Sequence, residues 1–177
     1  WRSLLADKPG GWLSVPSRRG DSDPRPCLGR RLEQRLGARL WPVHRLDEEA
    51  TGLILFARTA AAHRCLGGWF AARQLRKTYE AWTETLQPAP RGAEVWEAKL
   101  LRGKRRAYES PRGKPAVTHA AARGARVADG KPCLAWELEP VTGRPHQLRF
   151  ELGRRGFPIL GDGLYGSTRP LRLGLIA

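Results

Sequence analysis

The chain reads as a mixture of helices and strands around one core, and three observations point there. Leu28, Leu32 and Leu36 recur every four residues among Arg30, Arg31, Glu33 and Arg35, the apolar stripe of an amphipathic helix. Residues 74–84 alternate instead, with Leu75, Lys77, Tyr79, Ala81 and Thr83 set against Arg76, Thr78, Glu80 and Trp82, which is the period of a strand. A length of 177 residues at 41% hydrophobic content suffices for one buried core, and the loops are too short to mark a second domain.

Taken in order, residues 4–6 and 12–15 are short apolar pieces separated by Lys8-Pro9-Gly10-Gly11, which predicts two strands around a bend. Residues 17–26 are polar, charged and Pro-containing, hence a loop. The leucine-striped helix begins at Cys27 and is stopped by Gly37. Residues 53–57 are apolar on both faces, as a central strand requires. Thr59 is placed to cap a helix running to Arg73, although Gly67-Gly68 weakens it by roughly 1 kcal/mol per Gly relative to Ala. After the strand at 74–84 and a Pro-rich loop at 87–92, strands are predicted at 95–101, 117–127 and 133–139. Between them, Gly103-Lys104-Arg105-Arg106 and Arg112-Gly113-Lys114-Pro115 flank Tyr108, a pattern that suits either a phosphate-tracking surface or a solvated hairpin loop. Residues 141–152 gather Arg144, His146, Gln147 and Arg149, with Leu148 and Leu152 spaced to dock one helix face. Residues 157–166 form a short apolar run and a Gly-rich turn whose spacing matches neither phosphate-binding loop.

Charge narrows the partners. Thirty-two Lys and Arg against 17 Asp and Glu give +15 and a pI near 11.1, so nucleic acid is the first partner to consider. Codon usage that enriches Arg and Ala would give the same total without any ligand. A membrane is not favoured, because no apolar run approaches the ~20 residues of a spanning helix. Cys27, Cys65 and Cys133 are far apart and match no metal-finger spacing, which predicts buried free thiols in a reducing cytoplasm and no metal site. With no leader peptide and Trp1 rather than Met at the start, the native chain is expected to extend beyond this N-terminus, and beyond Ala177 as well.

The most unusual stretch is VHRLDEEATGLILF, residues 43–56, where charged side chains run directly into an apolar strand. Asp47 stands behind His44 and Arg45 and ahead of Glu48 and Glu49. A capped, charged turn before a buried strand accounts for it, with Gly52 relieving the backbone; so does a reactive carboxylate held by that strand.

HRLDEEATGLILF, the Lys77-Thr78-Tyr79 segment, GRPHQLRFEL and FPILGDGLYG, in this order, resemble the RluA family of pseudouridine synthases. The likeness covers nearly the whole chain, from Asp7-Lys8-Pro9-Gly10-Gly11, similar to the family's DKPxG opening, to Tyr165-Gly166. LSVP followed by a basic loop, Gly113-Lys114-Pro115-Ala116 and ILGD look most like the RluA branch, whose members modify ribosomal RNA and a tRNA anticodon stem-loop. No S4-like domain precedes these motifs.

The resemblance implies an α+β fold in one catalytic domain across residues 1–177, built on a mostly antiparallel mixed sheet flanked by helices, with an RNA cleft across it. It implies that Asp47 is the catalytic nucleophile, that Tyr79 stacks on the target uracil and that Arg149 pairs with Asp47. Arg45 would fill the gap left by the flipped base and Leu148 would wall the pocket, with His44, Lys77, Arg144 and His146 counted as further RNA contacts. No cofactor and no metal are implied, and a cytoplasmic monomer acting on ribosomal RNA, tRNA or both is expected. Residue chemistry agrees: a carboxylate nucleophile must be ionised, which a paired guanidinium favours and Glu48 and Glu49 oppose. Those two glutamates carry no assigned role. The chain departs from the family at Ala50-Thr51-Gly52 (usually Thr-Ser-Gly), at Glu151, where His is common, and at Phe157, which replaces the His of GHPI. A catalytically silent RNA-binding protein and a hydrolase using His44 or His146 are the competing readings; the hydrolase lacks a Ser or Cys in a recognisable nucleophile setting.

Overall fold

The computed structural model describes residues 2–85 and 87–177 and divides into two compact units, one running to Leu75 and including Ala177, the other Arg76–Ile176. Among the described residues every strand pairing is antiparallel, as expected, but the strands form two sheets.

The N-terminal unit holds β1 (Ser3–Lys8), α1 (Leu28–Leu36), β2 (Trp41–Pro42), β3 (Gly52–Ala57) and α2 (Ala60–Ala71). Its sheet has the order β1-β3-β2 with Leu5 opposite Leu55 and Lys8 opposite Gly52. β3 is central, as predicted: Ile54, Phe56 and Ala57 are buried, although Leu53 stays exposed. Gly52 has φ +111, and a Cβ there would lie 2.2 Å from the Ala177 carbonyl oxygen, so only glycine fits where β3 begins. α1 ends on left-handed Gly37 as predicted, and the Thr59 hydroxyl caps α2 by accepting from the Ala62 N–H at 3.1 Å. α2 stops at Ala71, short of Arg73, which itself takes φ +57.

Two predicted strands need correction. Residues 12–15 are not a strand: Leu13 makes one isolated parallel bridge to Cys27, with its N–H on the Pro26 carbonyl and its own carbonyl taking the Leu28 N–H. Directly after Cys27 the partner segment turns into α1, so no extended backbone runs on alongside residues 14–15. The strand predicted at 74–84 begins only at Tyr79, because its partner strand pairs with it no further than Leu138 and then runs on along another neighbour through Pro140.

The second unit contains β4 (Tyr79–Thr83), β5 (Ala93–Arg102), β6 (Ala107–Glu109), β7 (Lys114–Ala128), β8 (Lys131–Pro140), α3 (Gln147–Arg154) and β9 (Leu175–Ile176), in sheet order β6-β5-β7-β8-β4-β9. Its core is aromatic. Trp136 meets Trp96 at 5.3 Å and the edge of Phe157 at 5.0 Å, and its indole N–H donates to the Thr83 hydroxyl at 3.0 Å. Phe157 is thereby part of the core. β7 and β8 join through Asp129-Gly130, both at positive φ (51° and 66°), the conformation a two-residue hairpin loop demands and one a DG pair signals in sequence. Beyond an irregularity between Ala122 and Gly124 this hairpin is largely exposed. Of the thiols, Cys133 is buried, Cys27 half-buried and Cys65 exposed, so the expectation of uniformly buried cysteines fails at Cys65 on α2.

Candidate active site

Residues 44–50 form neither helix nor strand, so their backbone groups need partners from elsewhere. His44 supplies one: its Nε2 accepts the Leu55 N–H at 3.1 Å while its ring stacks on Phe70 at 5.0 Å, tying the start of the loop to β3. A ring nitrogen so used is an acceptor, which fixes the tautomer and speaks against a general base at that nitrogen. The buried hydroxyl of Ser14 then both accepts from the Leu46 N–H at 3.0 Å and donates to the Leu46 carbonyl at 2.9 Å. On the far side of Asp47, the Glu48 carbonyl accepts from Lys8 Nζ at 2.7 Å and from the Gly11 N–H at 2.9 Å. Asp47 itself is half-buried and its carbonyl accepts the Ala50 N–H at 3.2 Å.

Lys8 is fully buried, with Nζ also donating to the Pro9 and Trp12 carbonyls at 2.9 Å. Burial lowers its pKa, and the charges of Glu49, Glu48 and Asp47 push it back up. Glu48, which had no role in the sequence reading, now has one: its carboxylate accepts Arg25 Nη1 at 2.5 Å, and Arg25 grips Asp23 through Nε at 2.9 Å and Nη2 at 2.7 Å. Arg25 and the Ser17 hydroxyl hold the Asp23 carboxyl well below the ordinary range. The polar loop at 17–26 is thereby latched to the segment carrying Asp47. Glu49 is exposed.

In the second unit the charged group is Arg149, on the buried face of α3. Its Nε and Nη2 donate to the two carboxylate oxygens of Asp162, both at 2.7 Å, a bidentate pair with the carboxylate side chain 1% exposed. Tyr165 lies over the guanidinium at 5.3 Å. The Tyr165 hydroxyl accepts the Ala107 N–H at 2.7 Å and meets His146 Nδ1 at 3.1 Å. Burial raises the Tyr165 pKa despite the Ala107 hydrogen bond and the Arg149 charge, so the phenol is neutral. His146 takes φ +54 to start the helix, an uncommon conformation for a non-glycine residue. Gln147 fastens this turn to β7: its Nε2 donates to the Val117 carbonyl and the Thr118 hydroxyl, and its Oε1 accepts from Thr142 Oγ1 and the Arg144 N–H.

The other predicted site residues fall as follows. Arg45 is exposed beside the half-buried Asp47, and Tyr79 is half-buried at the start of β4. Lys77 is half-buried with Nζ 3.4 Å from the Thr142 carbonyl, Arg144 donates through Nε to the Pro115 carbonyl at 2.8 Å, and Leu148 is buried on α3. Arg144, His146, Leu148 and Arg149 are thus brought onto one turn and helix, and Asp47 with Arg45 and His44 onto one loop. Asp162, Tyr165, Ser14 and Lys8 were missed as supporting residues; FPILGDGLYG carried the first two, LSVP Ser14 and DKPGG Lys8, without any sign of what they touch. Among the described residues no cluster of His, Cys, Asp or Glu is arranged to hold a metal, and no helix is long and apolar enough to cross a membrane.

Comparison with known proteins identifies the family. An RNA pseudouridylate synthase family profile matches residues 2–152. The chain is 32% identical over 173 residues to the uncharacterized RNA pseudouridine synthase YhcT of Bacillus subtilis, covering 95% of this chain and 56% of that protein. It is 36% identical over 184 residues to the dual-specificity RNA pseudouridine synthase RluA of Salmonella typhi, covering 96% of this chain and 76% of the relative. The chain therefore spans little more than half of one relative and about three quarters of the other. The fold matches that of human RNA pseudouridylate synthase domain containing 1, with a TM-score of 0.81 at 23% identity over 99% of this chain and 73% of that one. Motifs, profile and fold converge: the chain belongs to the RNA pseudouridylate synthase family.

Proposed function

We propose that this protein isomerises specific uridines to pseudouridine in structured RNA, with Asp47 as the nucleophile. The family match across residues 2–152, which includes the Asp47 loop, carries the reading. In the reaction the C1′–N1 bond of the uridine breaks and a C1′–C5 bond forms; C5 gives up its hydrogen and N1 gains one, so nothing is oxidised and no cofactor is needed. Arg149 is the counter-charge proposed for Asp47, and its bidentate pair with Asp162 fixes the guanidinium on its own helix. A stacked base cannot react, so the uridine is flipped at a cost of a few kcal/mol, offset by Arg45 in the vacated space and Tyr79 as an aromatic platform. Leu148, His44, Lys77, Arg144 and His146 complete the RNA-facing set, and the two units act as one catalytic domain in a cytoplasmic monomer. The relatives named RluA are described as dual-specificity, and the chain's likeness to the RluA branch makes ribosomal RNA and a tRNA stem-loop the substrates to test first.

Release of tritium from RNA carrying 5-tritiated uridine measures the reaction directly. The protein is expected to release it in proportion to pseudouridine formed. Salt-sensitive RNA binding with no release on any stem-loop would identify a silent RNA-binding protein instead. Mapping pseudouridines across the RNA of a strain lacking the gene gives the target.

A further inference from the structure

The two residues flanking Asp47 are gripped by quite different groups. Glu48 is held through its carbonyl by Lys8 and Gly11, and through its side chain by Arg25. Leu46 is held by a single hydroxyl on both its backbone groups: Ser14 Oγ satisfies its N–H and its C=O, in a place where Ser14 is 4% and Leu46 7% exposed. A side chain that closes both hydrogen bonds of a single peptide residue acts as a substitute strand partner, fixing where that residue lies and which way it faces. Ser14 is in turn fixed from behind, because its carbonyl accepts the Gly29 N–H at the start of α1. There is no regular structure between His44 and Ala50 to do this in any other way.

We infer that Ser14 is a positioning residue for the reaction, setting the backbone from which the Asp47 carboxylate reaches the substrate. This rests on the assignment of Asp47 as nucleophile. A hydroxyl that is only a buried stability element would, when removed, lower the folding midpoint and leave the turnover of the folded molecules alone. One that positions Asp47 would lower turnover while substrate affinity holds, since small displacements of a reacting group are costly in rate. The expected loss of kcat for Ser14→Ala is about 10- to 100-fold with KM within about two-fold. Ser14→Cys, nearly the same size but a poor hydrogen-bonding group, should behave like Ser14→Ala, and Ser14→Thr, which keeps the hydroxyl, should recover most of the rate.

The test measures kcat and KM for tritium release, the thermal midpoint and RNA affinity for these variants in the full chain, beside Asp47→Asn. A selective kcat loss restored by Thr supports the inference. Wild-type kcat in Ser14→Ala or Ser14→Cys overturns it, as does a loss confined to KM. If Ala and Cys variants both unfold, the hydroxyl serves the fold, and the inference is likewise overturned. Activity in Asp47→Asn would remove the nucleophile assignment and this inference together, whereas an inactive Asp47→Asn beside a fully active Ser14→Ala would remove the inference alone.

Discussion

Asp47 and Arg149 are held in opposite ways. Asp47 sits in a loop with no regular structure, and its neighbours are fixed by side chains reaching in from residues 8–25: Lys8, Ser14 and Arg25. Arg149 sits on a buried helix face, and its position is set by an ion pair with Asp162 that is itself buried. The difference teaches that a half-exposed carboxylate can be placed by fastening the backbone around it, whereas a buried guanidinium is held through its own fork. Rigidity comes to the first from hydrogen bonds to its peptide neighbours and to the second from a charge pair.

Substitutions on the two sides should therefore fail differently. The largest effect belongs to Asp47→Asn, which removes the proposed nucleophile from a loop whose supports remain: tritium release should fall to background while the circular dichroism spectrum and RNA affinity stay near wild type. Asp162→Asn should act first on stability, because it removes the charge from a buried bidentate pair, and urea unfolding should show a loss of about 3–5 kcal/mol. Adding Arg149→Met should recover most of that stability without recovering turnover, separating the two duties of the arginine.

A smaller, pH-dependent effect is expected at Glu84, another buried carboxylate of the second unit. Burial alone would raise its pKa, but Ser167 Oγ at 2.5 Å, the Thr168 N–H and hydroxyl at 2.8 and 2.9 Å and the Arg169 N–H at 3.2 Å outweigh it, and the net shift is downward. A lowered folded-state pKa gives stability that is fully present above the unfolded glutamate's pKa of about 4.3 and is lost as pH falls through the depressed folded value. Glu84→Gln should therefore be less stable than wild type at neutral pH and show a shallower acid limb in unfolding midpoint against pH. The smallest effect is that of Arg25→Ala. Its bonds to Asp23 and Glu48 are partly exposed, so the thermal midpoint should barely move, and the change should be confined to a roughly two- to five-fold drop in turnover. A large loss of stability there would show that the 17–26 loop is part of the core and not a latch.

Much of this was legible in the sequence. The leucine stripe gave α1 and Gly37 its end, Thr59 the start of α2, and the apolar run a central β3. The two misplaced strands at 12–15 and 74–78 show the limit of periodicity, which reports that side chains alternate and says nothing of whether a partner backbone lies alongside. The missed supports show another. Ser14 and Lys8 lie 32 and 40 residues from the groups they hold, and Asp162 lies 13 from Arg149, separations at which no local pattern exists.

The sequence by itself determined the kinds of element, the basic character and, through four ordered motifs, the family and the identity of Asp47, Tyr79 and Arg149 as the residues to examine. The tertiary structure decided what those residues lean on. Side-chain period and composition are local properties of a chain, readable residue by residue. A buried hydroxyl closing a peptide across 32 positions, or a carboxylate filling an arginine's fork, exists only after folding has brought the partners within hydrogen-bond reach and removed the water that would otherwise satisfy them.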